Sequence, residues 1–221
     1  MTTNFLKTKQ SIYYDFSYEA TKTKALECKN CKLFNTRNRV VFSQGPVPCK
    51  LMIIGEAPGA DEDEQGVPFV GKAGKLLEKM LLAIDIRRPE DVYIANTLKC
   101  RPPNNRKPLQ EEINSCNDFL LKQIAEVKPK IILLLGSPAM ETILNPTESI
   151  SKIRGKWFNV EVDYQSEDIK IMTIFHPAYL LRNPSSAIDT PKWLTWQDLQ
   201  LVKAEYNALT VVNGEIVSRE T

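Results

Sequence analysis

The chain has a single histidine, His176, among 221 residues. No apolar run approaches the ~20 residues that cross a bilayer, which excludes a membrane-spanning helix. The first residues, MTTNFLKTKQSIYYDF, lack the apolar core of a signal peptide, and this predicts a cytoplasmic protein. Neither sign of charge dominates, with 29 Lys and Arg against 27 Asp and Glu. The formal net charge is +2, so a polyanionic partner would have to be met by a local basic patch. Repeats, low-complexity tracts and an interdomain linker are missing, and 221 residues suit one domain.

The chain does have five cysteines: Cys28, Cys31, Cys49, Cys100 and Cys116. In a cytoplasmic protein disulfides are rare, and Cys28-x-x-Cys31 points to metal or redox chemistry. Cys100 precedes Arg101-Pro102-Pro103, and Cys116 falls in an amphipathic stretch. Two plus two thiolates suit tetrahedral zinc or an iron–sulfur cluster, and buried structural cysteines are the plainer alternative.

Residues 51–74, LMIIGEAPGADEDEQGVPFVGKAG, organise the rest. The apolar run Leu51 to Ile54 has strand length and breaks into Gly55-Glu56-Ala57-Pro58-Gly59, a turn built for close backbone approach. The acidic run 61–64 reads as a solvated turn, and the apolar island 67–70 precedes a helix from Lys75 to Ile84. Further strands are predicted at 92–95, 130–135 and 169–175, with a short one at 40–42 and a hairpin around 157–163. Helices are predicted at 17–26, at 109–127, from a Ser137 cap to Leu144, and at 193–209. Strands alternating with helices predict a single three-layer α/β/α domain, residues 17–221, around a mainly parallel four-stranded sheet. Residues 1–16 read as an N-terminal arm.

Each predicted strand ends in a chemically notable group: the GEAPG turn, Asn96, Gly136-Ser137, and His176 within HPAYLLRNP. Singly these have plain explanations. An Asn ends strands as a turn former, and a lone His is more often structural than catalytic. Open α/β sheets, however, bind ligands at the carboxyl ends of their strands. An aromatic, an amide, a carboxylate and one His at that edge suit a flat heterocycle flipped into a pocket. Arg101, Arg106, Lys107 and Arg182 stand in Pro-bracketed loops where they can meet phosphates.

GEAPGADEDEQGVPFVGKAG, Asn96, the arrangement of Cys100-Arg101-Pro102-Pro103 with Cys116, and HPAYLLRNP together resemble the family 4 uracil-DNA glycosylases. These are the iron–sulfur members of the uracil-DNA glycosylase superfamily. The resemblance runs from about Cys28 to the final helix. It implies a monomeric enzyme that excises uracil from single- or double-stranded DNA and leaves an abasic site. It further implies a structural four-iron, four-sulfur cluster on Cys28, Cys31, Cys100 and Cys116, with Cys49 outside it. Phe69 would stack on the base and Asn96 would read its O4/N3 edge. Gly55, Ala57, Pro58 and Gly59 would line the pocket, Gly59 standing where other relatives screen out the thymine methyl. His176 would donate to the uracil O2, and the Leu180 region would wedge into the duplex beside Arg182. Other branches place an Asp at Ala57, so the assisting carboxylate is expected at Glu62, then Glu56, with Asp63 a poorer candidate. Lys72 and Lys99 fit phosphate contact or surface, which leaves no lysine for Schiff-base strand cleavage. On residues alone, a non-catalytic iron–sulfur DNA-binding module and a zinc-ribbon interaction protein remain the rival classes.

Overall fold

Apolar runs long enough for one strand each build the centre of the fold. The computed structural model describes residues 17–162, 168–212 and 215–218, so the arm expected at 1–16 lies outside the described residues. β1 (Leu51–Gly55), β2 (Val92–Asn96) and β3 (Ile131–Leu135) are buried along their whole length. β4 (Trp157–Val160) and β5 (Ile169–Ile174) complete a five-stranded sheet in the order β2-β1-β3-β5-β4. The four expected strands pair in parallel, and β4 adds an antiparallel edge. The sheet therefore has one strand more than the sequence predicts. The segment expected as a separate hairpin uses β5 as its partner, since an open sheet edge offers unpaired backbone groups.

Alternation along the strands assigns the two faces. Met52 and Ile54 point to one side with Leu120 and Ile124 of α4 (Gln110–Val127) and Met140 and Ile143 of α5 (Gly136–Leu144). Leu51 and Ile53 point to the other, with Leu77 and Leu81 of α3 (Lys72–Leu82) and Leu199 and Val202 of α8 (Pro191–Asn207). Each such side chain contributes about 1.5–3 kcal/mol on full burial, which fixes register because a one-residue slip would reverse both faces. A third apolar cluster joins α1 (Tyr18–Leu26) to Leu98 and Phe119 around the cysteines.

Several local expectations differ. Residues 40–42 are buried but form no strand, and only Gln44 bridges to Ile94. Ser137 does not cap α5. Gly136, at φ +83°, turns the chain straight from β3 into the helix and leaves Ser137 inside the first turn. The acidic run 61–64 is the short helix α2 (Ala60–Gln65), where three carboxylates in the first turn complement the helix dipole. The segment 150–153 is a further short helix, α6 (Ile150–Ile153). After α7 (Pro177–Arg182) and α8 comes an unpredicted two-stranded sheet, β6 (Leu209–Val212) and β7 (Glu215–Ser218).

Candidate active site

The carboxyl ends of β1, β2 and β5 open into a cavity of about 440 Å³. It is lined by Glu56, Ala57, Pro58, Gly59, Glu62, Phe69, Asn96, Arg106 and His176, among others, so loops far apart in sequence meet there. The backbone of the turn is pinned to the end of β2. Thr97 N–H donates to Gly55 O at 2.9 Å, Leu98 N–H to Glu56 O at 3.0 Å, and Thr97 Oγ1–H to the same oxygen. Gly55 is required for space. A Cβ there would lie 2.4 Å from Asn96 Oδ1 and 2.6 Å from Phe69 Cζ.

Asn96 ends β2 and is 2% exposed. Its Oδ1 is buried and has no hydrogen-bond partner in the structure. An orphaned buried acceptor costs on the order of 1–3 kcal/mol, a cost that a ligand N–H would remove.

Phe69 is held in the left-handed region at φ +53°. Two contacts hold it there. The Arg88 guanidinium donates to the carbonyls of Pro68 and Phe69 while its Nε–H donates to Gln44 Oε1 at 2.8 Å. Gly74 packs directly under the Phe69 peptide, where a Cβ would stand 1.8 Å from Phe69 O. Gly74→Ala is therefore expected to lower stability by about 1–3 kcal/mol in urea unfolding and to displace the Phe69 ring. An unchanged unfolding midpoint would show that this close approach does not hold Phe69.

Across the cavity, the His176 and Phe69 ring centroids are 5.9 Å apart at an interplanar angle of 32°. His176 occupies the N-cap of α7, and the Ala178 N–H donates to its Nδ1 at 3.1 Å. Burial, and then the positive charge of Arg182, pushes His176 down to about 4, with Glu62 pulling the other way. At neutral pH the ring is thus uncharged. Because Nδ1 accepts, its single proton sits on Nε2.

The two candidate carboxylates differ. Glu62 Oε1 accepts the Val70 and Gly71 N–H groups at 2.9 and 2.8 Å, and Oε2 accepts Gly59 N–H at 3.0 Å. It therefore clasps the turn to the segment carrying Phe69. Glu56 is also a lining residue; its carboxyl has no hydrogen bond among the described residues, and burial pushes its pKa up, with Lys107 pulling it down and Glu141 adding to the rise. Asp63 is 1% exposed and accepts the Asn38 N–H at 3.0 Å, so it is structural.

Other expected positions shift as well. Leu180 is 2% exposed and packs inward, whereas Tyr179 and Leu181 on either side are exposed. The helical turn of α7 rotates successive side chains by ~100°, so only one side of that segment faces out. Arg106 pairs bidentately with Glu112 at 2.9 and 2.6 Å, and Arg101 Nε–H donates to Asn105 Oδ1 at 2.7 Å. Both are tied to the Pro-rich loop, while Arg182 is exposed.

Cys28, Cys31, Cys100 and Cys116 fall in the third apolar cluster, and Cys49 lies apart in the sheet core. Donors already point at their sulfurs: Arg37 Nη1–H on Cys100 at 3.1 Å, Lys99 N–H on Cys116 at 3.3 Å and Asn30 N–H on Cys28 at 3.5 Å. Burial pushes the Cys116 thiol up to about 12 and raises Cys100 as well. Such donors favour thiolate, which is the form that binds metal. Among the described residues no three acidic, histidine or cysteine side chains could share one metal ion. Lys99, expected at a phosphate contact or the surface, is 1% exposed, with its N–H on Cys116 Sγ and its Nζ on the Asn96 carbonyl.

The sequence is similar throughout this region to known proteins. Residues 42–200 match the family described as the uracil DNA glycosylase superfamily. A type-4 uracil-DNA glycosylase of Archaeoglobus fulgidus is 44% identical over 163 residues, covering 72% of this chain and 80% of its own. The chain belongs to the uracil DNA glycosylase superfamily, on its type-4 branch. The type-4 enzyme of Sulfurisphaera tokodaii is 40% identical, covering 76% of this chain and 78% of its own. That of Thermotoga maritima is 39% identical, covering 84% and 93%. The superfamily match spans the turn, Asn96 and His176, and Cys28 and Cys31 lie before it.

Arg88, Arg37, Lys99 and Gly74 escaped the sequence reading. Arg88 carries no local signal of its part in holding Phe69. Lys99 had one, its place beside Cys100, but nothing in a lysine's neighbours announces full burial.

Proposed function

We propose that this chain is a uracil-DNA glycosylase that hydrolyses the N-glycosidic bond of a uracil flipped from single- or double-stranded DNA. The product is an abasic site, the entry to base excision repair. The observation that carries this reading is the buried, unpartnered Oδ1 of Asn96 at the back of a cavity faced by a neutral imidazole. Uracil presents N3–H as donor and O4 as acceptor on one edge, which an Asn amide complements. Its O2 would then meet the Nε2–H of His176, with the ring stacked on Phe69.

In the reaction the C1′–N1 electron pair leaves with uracil, spreading onto O2, while the sugar becomes oxocarbenium-like. His176 stabilises the developing O2 charge without transferring its proton, as a preorganised donor does. A water then adds to C1′, and its proton passes through solvent to the uracil anion, leaving neutral uracil and the abasic sugar. We assign Glu56 to orient that water or steady the cation, because Glu62 is already engaged by three backbone N–H groups. Glu62 instead holds Phe69 in place. Arg101, Arg106 and Arg182 would contact phosphates, Arg106 while still paired to Glu112. Leu181, exposed next to buried Leu180, is the better-placed wedge for the gap in the duplex.

Cys28, Cys31, Cys100 and Cys116 would hold a four-iron, four-sulfur cluster. The N–H donors aimed at their sulfurs and their shared apolar cluster support this, as does the similarity to type-4 enzymes. When bound, the cluster supplies iron–thiolate links between the end of α1, the Pro-rich loop and α4. We further propose that the protein works as a monomer in the cytoplasm.

The deciding assay is single-turnover release of uracil from an oligonucleotide by anaerobically purified protein, with alkali revealing abasic sites. Binding without release would sink the enzymatic reading. In the same preparation Cys100→Ala is expected to lose iron, visible colour and thermal stability together; a coloured, stable variant would contradict the ligand set.

A further inference from the structure

Lys99 has no place in the chemistry above, yet it is among the largest fully buried side chains of the protein. An ammonium leaves water only where other groups compensate it. Here compensation comes from two directions. Its Nζ donates to the main-chain carbonyl of Asn96 at 2.6 Å, and the thiols of Cys100 and Cys116 lie on its other side. Its own backbone N–H donates to Cys116 Sγ at 3.3 Å. One residue thus touches both the cysteine cluster and the strand end that carries the base-reading amide.

We propose that Lys99 is a positioning residue that locks the Asn96 amide to the cysteine cluster. The inference rests on the glycosylase reading and deepens it. Asn96 is the last residue of β2, and the peptide between Asn96 and Thr97 is held on its N–H side by the Gly55 carbonyl. The Lys99 donor holds the carbonyl side of the same peptide, so both ends of that plane are fixed and the backbone from which the Asn96 side chain projects is held in place. The same plane orients Thr97, whose hydroxyl holds the Glu56 carbonyl. Thiolates of a loaded cluster would supply the negative charge that keeps this ammonium in place. The cluster would then stabilise base recognition as well as the N-terminal segment.

The test uses the iron-loaded protein and free uracil as an inhibitor of the cleavage assay. Lys99→Met is expected to keep wild-type iron content and visible absorption, and to bind DNA with an abasic-site analogue within about twofold of wild type. It should bind free uracil at least about tenfold more weakly, with kcat/KM falling in step, because a reading group displaced by a fraction of an ångström loses much of its effect. Lys99→Arg, which restores a buried donor, should recover part of the loss. Wild-type uracil affinity in iron-replete Lys99→Met would overturn the assignment. If Lys99→Met is insoluble or iron-free, Lys99→Gln, with its shorter side chain, takes its place under the same criterion. Asn96→Ala run alongside separates the two readings. Wild-type uracil affinity there removes the pocket reading itself, whereas an impaired Asn96→Ala with an unimpaired Lys99→Met removes only the role of Lys99.

Discussion

His176→Ala is expected to slow uracil release about a hundred- to a thousandfold in single turnover, while affinity for the DNA changes less than about threefold. The donor acts on charge that appears only in the transition state, so its loss should register in the rate constant and not in binding. Rate loss matched by an equal loss of DNA affinity would show that the side chain merely shapes the loop. The pH dependence offers a second check. His176 titrates at about 4 in the folded protein against 6.5 for an unperturbed imidazole. The release rate should therefore show no histidine inflection between about pH 5.5 and 8. The stability sign follows from the same shift. Between 6.5 and about 4 the unfolded chain takes up a proton that the folded chain refuses, so stability falls as pH falls through that window. His176→Ala should lose that part of the acid sensitivity.

Asn96→Ala is expected to reduce kcat/KM for uracil excision by at least about a hundredfold and to abolish inhibition by free uracil. Truncation removes both amide contacts and leaves the N3–H and O4 of a buried base unpaired, which is costlier than losing a hydrogen bond at a surface. Affinity for DNA carrying an abasic-site analogue should survive, because the phosphate contacts proposed for Arg101 and Arg182 lie outside the cavity lining. Wild-type excision by this variant would refute the assignment of Asn96 to the base edge. The glycine beneath it sharpens the argument. Gly55 leaves only enough room for Asn96 Oδ1 and Phe69, so the turn and the amide form one recognition unit.

Much of this was readable from residue order. Apolar runs of strand length separated by helical periodicity specify the parallel sheet, since each run must be buried on both faces. The turn after Leu51–Ile54, Asn96 and His176 could be placed at one edge before any coordinates, because parallel topology sends every strand end there. Local rules failed where backbone conformation or strand pairing made the decision. Ser137 looked like a cap, but Gly136 at φ +83° carries the chain past it. Residues 157–160 had strand character, but only the open edge of β5 determined what they pair with.

The roles inside the site divide along the same line. Sequence by itself determined which chemical groups are available: one imidazole, one amide at a strand end, an acidic run, five thiols and an aromatic island. Tertiary structure alone decided which of them are free to act. Glu62 and Glu56 are the same residue type and both line the cavity, but three backbone N–H groups engage the first, while the carboxyl of the second has no hydrogen bond among the described residues. Leu180 and Leu181 are the same residue type, separated only by the ~100° step of a helix that turns one inward. Lys99 reads as a surface charge until β2 and the cysteines close around it. The physical reason is common to all three. A side chain's function depends on its exposure and its partners, and both follow from how the chain is folded and packed, which residue type by itself does not specify.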